Sequence, residues 1–345
     1  MKIKHFLITG ALVVSTALML LSGEGHAAPM LSYVQSFGTG GSGNGQFDSP
    51  YGVAVDSSGY VIVGDSSNFR VDRFNPSNFS GTFTSFGPFT IPTDVKVDSS
   101  GNVYVAEHNG NRIDRFNPSN FAGTLARFGS SGSGSGQFSS PYGVGIDSSG
   151  LVYVADRYNN RIDRFDPSNF AGSFTFFGGS QGSGSGQFNQ PIGVAFDTAG
   201  NIYVPDLQNG RVVRFNPSDF AGTFTSFGTF GSGNGQFKYP SGVAVDLDGN
   251  VYVGDQGNNR IVVFNPAHFA ETFSSFGSSG SGSGQFNQPH GLALDGSGLL
   301  YVADSENNRI VQLSITQSVP EPGSAALLAL GGVLFTAHRR RATHA

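Results

Sequence analysis

The sequence predicts an all-β fold: six four-stranded antiparallel sheets set around an axis as the blades of a β-propeller. Three observations predict it. The first is a repeat. An aspartate recurs as Asp56, Asp98, Asp147, Asp197, Asp246 and Asp295. A second acid recurs as Asp65, Glu107, Asp156, Asp206, Asp255 and Asp304, and an arginine as Arg70, Arg112, Arg161, Arg211, Arg260 and Arg309. All three series advance by 42, 49, 50, 49 and 49 residues, and a period near fifty belongs to solenoids, propellers and arrays. The second is short alternating runs rich in β-branched and aromatic residues, separated by Gly, Pro, Asn, Asp and Ser, which is the pattern of strands and tight turns. The third is a count that closes. The sixth unit has a third strand, Arg309 to Leu313, and no fourth after it, while Tyr33 to Gly38 matches the fourth strand of the first unit, Phe83 to Gly87. The N-terminal strand is therefore expected to complete the last blade.

Within a unit the strands follow in a fixed order, here named a to d. Strand a opens after a proline, as in Gly52 to Asp56, and leads into a turn such as Asp147-Ser148-Ser149-Gly150. Gly takes positive φ freely there and Asp bonds its own backbone. Strand b is typified by Val152 to Val154, strand c by Arg161 to Phe165 and strand d by Phe224 to Gly228. Outside the two ends of the chain no stretch keeps a helical period. One such sheet cannot bury both faces or protect its edges, whereas six packed radially can. A Gly/Ser insert precedes strand a at Gly41, Gly132, Gly182, Gly231 and Gly280. The second unit lacks it, which marks it as a dispensable loop between d and a, flexible and on the surface.

The ends are separate. Lys2 and Lys4 precede an apolar run from Phe6 to Leu21, then Gly25-His26-Ala27-Ala28. This is the make-up of a secretory signal peptide over residues 1–28, with the propeller spanning 29–317. The chain has no Cys, 51 Gly and 32 Phe, and only 12% charged residues. That composition suits an all-β repeat protein and excludes disulfides and Cys-ligated metal. Its net charge is −5. Setting aside Lys2, Lys4 and Arg339 to Arg341 makes the repeat region more acidic still, without the basic footprint that nucleic-acid binding needs.

The succession of Gly-Val-Ala-Val-Asp, Asn-Val-Tyr-Val-Ala-Asp and Asn-Asn-Arg-Ile runs resembles the NHL repeat family of six-bladed β-propellers over about residues 33 to 315. The long Asn-Pro-Ser-Asn-Phe-Ala-Gly connection between strands c and d departs from that family's usual short turn. Residues 318–345 resemble the PEP-CTERM sorting signal of Gram-negative bacteria: Pro320-Glu321-Pro322, an apolar segment from Ala325 to Ala337, then Arg339, Arg340 and Arg341. That resemblance implies an exosortase-type membrane protease as processing partner. The apolar segment would associate transiently with the membrane, its arginines held at the cytoplasmic face.

Three constellations bear on function. The acid and arginine rings, Asp65/Arg70, Glu107/Arg112, Asp156/Arg161, Asp206/Arg211, Asp255/Arg260 and Asp304/Arg309, occur in six equivalent copies. Catalysis needs distinct residues in distinct roles, so these pairs are expected to brace the b–c hairpin, contributing modestly as surface pairs. Gly38 to Gly43 fits G-x-G-x-x-G, but no βαβ unit surrounds it. The positions after the strand-a proline are Tyr51, Thr93, Tyr142, Ile192, Ser241 and His290. Peptidyl-amidoglycolate lyases, which are NHL-like propellers, carry zinc-binding histidines in that column, and only His290 matches. A lone His cannot hold zinc and is expected to be solvated; His108 and His268 fall at other repeat positions. Lactonase-type propellers gather Glu, Asn and Asp on the inner strands, where this chain introduces only Lys96.

No metal, cofactor or catalytic residue is therefore expected. The sequence points to an exported, non-catalytic binding or structural module of the cell surface or extracellular matrix, with an unknown protein or exopolysaccharide ligand. A propeller enzyme of the lyase or lactonase type is the alternative. The ligand is expected on the face that carries the d–a and b–c loops, at Tyr51, Phe69, Tyr142, Tyr158 and His290. These are departures from the repeat that either serve a ligand or vary freely in exposed loops.

Overall fold

A computed structural model describes residues 27–317. The leader read over 1–28 lies outside them except for Ala27 and Ala28, and the sorting tail read over 318–345 lies wholly outside. Six four-stranded antiparallel sheets follow one another. Blade 1 is Pro50–Val55, Val61–Asp65, Arg70–Phe74 and Thr84–Phe86. Blades 2, 3 and 5 repeat that pattern, starting at Pro92–Val97, Pro141–Ile146 and Pro240–Val245. In blade 4 only Ala195–Phe196 of strand a is regular. The cause is Pro205 in strand b, whose counterpart in blade 3, Ala155, pairs with Gly143. Proline has no N–H to give to that ladder.

Blade 6 is Pro289–Leu294, Leu299–Asp304 and Arg309–Thr316, completed by Met30–Phe37. Met30 lies opposite Thr316 and Phe37 opposite Ile310, with an irregularity between Tyr33 and Gln35. The closing strand thus starts three residues before the expected Tyr33 and buries Leu31 and Phe37. The ring joins through one apolar cluster in which Ala303 and Ile310 of blade 6 and Phe37 meet Phe47, Val63 and Phe74 of blade 1. At the axis the first strands of neighbouring blades touch backbone to backbone. A Cβ on Gly242 would stand 2.1 Å from the His290 carbonyl oxygen, and one on Gly291 2.5 Å from that of Tyr51. At these contacts only glycine permits the approach, which explains the Pro-x-Gly column in five blades; blade 2 has Asp94 there.

The repeat acids and arginines are not surface pairs. Asp65, Asp156, Asp206, Asp255, Asp304 and Glu107 are fully buried. In blade 1, Asp65 accepts from the Asp48 amide at 2.7 Å, Asn68 Nδ2 at 2.7 Å and Arg70 Nε at 3.0 Å. The remaining guanidinium nitrogens of Arg70 donate to the carbonyls of Ser42 at 2.6 Å and Gln46 at 2.7 Å. Asn68 also donates to Gly41 O. Blades 3, 4 and 6 repeat this clamp through Arg161, Arg211 and Arg309, and blade 5 through Arg260. The Gly/Ser inserts are therefore fixed by their carbonyls rather than flexible. Blade 2, without the insert, changes in step. Glu107 replaces Asp and reaches the Thr90 amide at 2.8 Å, and Gly110 stands where the others have Asn, while Arg112 keeps the contact to Asp114 at 2.8 Å that Arg161 makes with Asp163 in blade 3. The short unit still keeps the phenylalanine three residues before its proline. Phe89 is buried like Phe47, Phe138, Phe188, Phe237 and Phe286, so only the loop is dispensable.

The c–d connections hold short helical turns. In blade 1 these are Pro76–Asn78 and Phe79–Thr82, capped when Asn75 accepts from the Ser77 amide and Asn78 from the Gly81 amide. Phe79 meets Phe74 edge-on at 4.8 Å.

Two outcomes follow from this architecture. Removing residues 29–37 strips the partner from Arg309–Thr316 and opens an edge. Thermal melting should drop by at least about 5 °C, with oligomers in light scattering; an unchanged monomeric melt contradicts the closure. Arg211→Ala leaves buried Asp206 without its cation and should cost about 3–5 kcal/mol in a denaturant titration. It should also remove hydrogen-exchange protection from the Gln187 amide, while loop protection equal to the parent contradicts the clamp.

Candidate functional site

Two features bring residues to one end of the axis: strand a starts there after its proline, and the b–c hairpin ends in the clamp beside it. Tyr51, Thr93, Tyr142, Ile192, Ser241 and His290 all line one narrow axial cavity of about 20 Å³. Thr93 and Ser241 turn to the neighbouring blade, Thr93 Oγ1 donating to Tyr142 O at 2.8 Å and Ser241 Oγ to Pro289 O at 2.8 Å. The other four also line a wider bowl of about 310 Å³, with Arg157, Leu207, Gln208, Tyr239 and Gln256. At the opposite end of the axis a space of about 230 Å³ is lined by aliphatic side chains, Phe196 and one charged residue, Lys96.

The rings at the bowl touch one another. Tyr51 lies 4.4 Å from His290, edge-on, and 6.1 Å from Tyr142. His108 lies 5.8 Å from Tyr142 and 6.4 Å from Tyr158. The Arg157 guanidinium stands over both tyrosines, 5.3 Å from Tyr142 and 5.2 Å from Tyr158. It is aimed by two donations to Gln190 Oε1, at 3.1 and 2.9 Å.

The structure brings together Tyr51, Tyr142, Tyr158 and His290 but not Phe69. Phe69 occupies the last position of its b–c loop with φ +57°, where blades 2, 3, 5 and 6 carry Asn111, Asn160, Asn259 and Asn308. It is half-exposed, and its ring meets none of the bowl residues. His290 is not solvated either: it is 5% exposed, and its Nδ1 has no hydrogen-bond partner among the described residues. Burial, with help from Arg157, pushes its pKa down to about 3. His108 is shifted the same way, by burial first and Arg157 second, so both imidazoles are neutral near pH 7. Burial likewise raises the phenols of Tyr51 and Tyr142. Lys96 is not the only charge on an inner strand. Asp94, in the glycine position of its blade, meets Lys96 Nζ at 3.0 Å and accepts from the Val144 amide of blade 3 at 3.0 Å. Arg157, His108 and Tyr239 were missed in the sequence. Their signal was that they too break the repeat.

Among the described residues no three His, Cys, Asp or Glu gather as a metal-ligand set, and no helix is long and apolar enough to cross a membrane. Residues 138–165, 237–264 and 286–313, each running from the loop phenylalanine through strand c, match the model of the NHL repeat. Three of the six repeats thus match the NHL repeat. Among curated proteins, a stretch of 43 residues is 51% identical to the E3 ubiquitin-protein ligase TRIM71 of Rattus norvegicus. It covers 12% of this chain and 5% of that one, so the chain spans about a twentieth of the curated relatives it matches. Among solved structures the propeller resembles an auxiliary nutrient binding protein from Bacteroides thetaiotaomicron, with TM-score 0.62, 13% identity, and coverage of 84% of this chain and 77% of that one. It also resembles a gluconolactonase from Xanthomonas campestris, with TM-score 0.60, 13% identity, and coverage of 84% and 98%. At such identities the likeness is one of fold.

The depressed pKa of His290 has a signed consequence. Between about pH 3 and pH 6.5 the unfolded chain binds a proton that the native site refuses, so this contribution to stability is present above pH 6.5 and lost on acidification. By pH 4.5 the loss should reach about 2–3 kcal/mol. In His290→Gln the fall in melting temperature between pH 7 and 4.5 should be smaller by the matching amount; parallel curves for the two proteins contradict a buried neutral imidazole.

Proposed function

We propose that this NHL propeller is an exported, non-catalytic binding module of the cell surface or extracellular matrix, and that its ligand sits in the axial bowl. The observation that carries the proposal is where the rings are. The end of the axis that breaks the repeat holds Tyr51, Tyr142 and Tyr239 around the bowl, with Tyr158 beside it and Arg157 among them. Aromatic faces beside a cation are the usual make-up of a recognition surface. No carboxylate lines the bowl to act as general acid or base. The likeness to a nutrient binding protein supports the same reading. Export rests on the leader over 1–28 and on the Pro320-Glu321-Pro322 tail, a substrate for an exosortase-type protease.

A propeller enzyme is the second reading, favoured by one observation: the buried, neutral His290 with a free Nδ1 beside the bowl. Experiment separates the two. The full chain is screened against arrayed glycans and the producing cell's envelope proteins, and any hit is titrated. Changing Tyr51, Tyr142 and Tyr158 together to Ala should weaken the hit by about tenfold or more with folding kept. Phe69→Ala should bind as the parent does. Turnover of lactones, abolished by chelation or by His290→Gln, would replace the binding reading with the enzymatic one.

A further inference from the structure

The bowl does not end at its rim. Tyr239 and Gln256 belong both to it and to a groove of about 390 Å³ between blades 5 and 6, whose other walls include Lys238, Asn287 and Gln288. The two spaces form one path from the axis outward, each of a size that takes a small ligand unit.

Charge along this path is one-sided. The repeat arginines are paired with buried acids. Arg157 makes no ion pair among the described residues: two of its nitrogens donate to Gln190 Oε1, and Nη1 has no partner. Lys238 is exposed and likewise unpaired. Two carboxylates stand close by, Asp94 in an ion pair and Glu306 exposed and without one among the described residues. Glu306 acts on Tyr51 and Asp94 on Tyr142 through their fields, yet neither lines the bowl or the groove. Asp94 is already held by Lys96 and the Val144 amide. With His108 and His290 neutral, the path carries two cations and no anion.

The rest of the path is mostly tyrosine rings and side-chain amides, with Ile192, Leu207 and His290 in the bowl. Amides both donate and accept, as sugar hydroxyls do, and rings offer flat apolar faces for sugar C–H groups. A peptide would seek apolar side pockets, and the groove has none: its one ring is Tyr239 and the rest is amide, glycine and lysine. Resting on the binding reading above, we propose that the ligand is an acidic oligosaccharide of the uronate class. One carboxylate sits in the bowl against Arg157. The chain passes over Tyr239, and a second carboxylate lies near Lys238.

The test is calorimetric titration of the full chain with linear tetragalacturonate, its carboxyl-reduced counterpart and tetraglutamate. The acid sugar should bind, and raising salt from about 0.05 to 0.3 M should weaken it. Arg157→Gln and carboxyl reduction should each weaken binding by about tenfold or more, and Lys238→Gln by about two- to fivefold. Both variants should melt as the parent does. Equal binding of the reduced sugar, an indifferent Arg157→Gln, or tighter binding of tetraglutamate overturns the assignment. If tetragalacturonate does not bind while another ligand is lost on the three-tyrosine change, the uronate assignment falls and the binding module stands. If no ligand responds to that change, both fall.

Discussion

Everything else in this propeller depends on a carboxylate buried at the end of strand b. Asp65 and its copies are fully enclosed, and an ion taken out of water must recover its solvation from the protein. The recovery comes from three directions: an amide before strand a, an asparagine in the b–c loop, and the strand-c arginine. That arginine then needs acceptors for its other nitrogens and finds them in carbonyls of the Gly/Ser loop. One charge thus fixes the hairpin, the loop and the register of the next strand together. The same clamp aims the site. Arg157 and Tyr158 lie between Asp156 and Asn159, both of which are held by it, so the two side chains between them are presented toward the axis.

Blade 2 shows the dependence by exception. Losing the loop removes the carbonyls that Arg112 would use and the one its asparagine would use. The blade answers with a longer acid and a glycine, while Arg112 leans on Asp114, the counterpart of the aspartates beside Arg70 and Arg161. Two changes at separated positions make sense as one compensation.

Repetition made the fold legible. Six copies of one pattern, and a lone strand with a lone vacancy, leave few arrangements, and Met30–Phe37 beside Arg309–Thr316 is the outcome. What repetition hid was depth. A charged pair recurring in every unit looks the same on a surface as in an interior, and glycine carbonyls leave no side-chain sign that an arginine is counting on them. The four-residue helix Phe79–Thr82 is too short to show a period. In the site the column after the proline was legible because it varies while its neighbours do not. Phe69 and Tyr158 looked alike as loop aromatics, but they differ in register: Tyr158 follows its acid by two positions, Phe69 by four, in the left-handed position against its arginine. His290 was readable as unusual but not as enclosed, since enclosure comes from Tyr51, a residue distant in the chain.

The last blade is woven from both ends of the ring, and this orders events in time. Met30–Phe37 leaves the ribosome before any other strand, yet its partner Arg309–Thr316 is the final strand of the ring to appear. Five blades can take shape as they emerge, because their pairings are local. The first strand waits through all of them as a bare edge, of the kind that recruits strangers. Synthesis therefore ends with an open crescent, and one long-range pairing turns it into a ring.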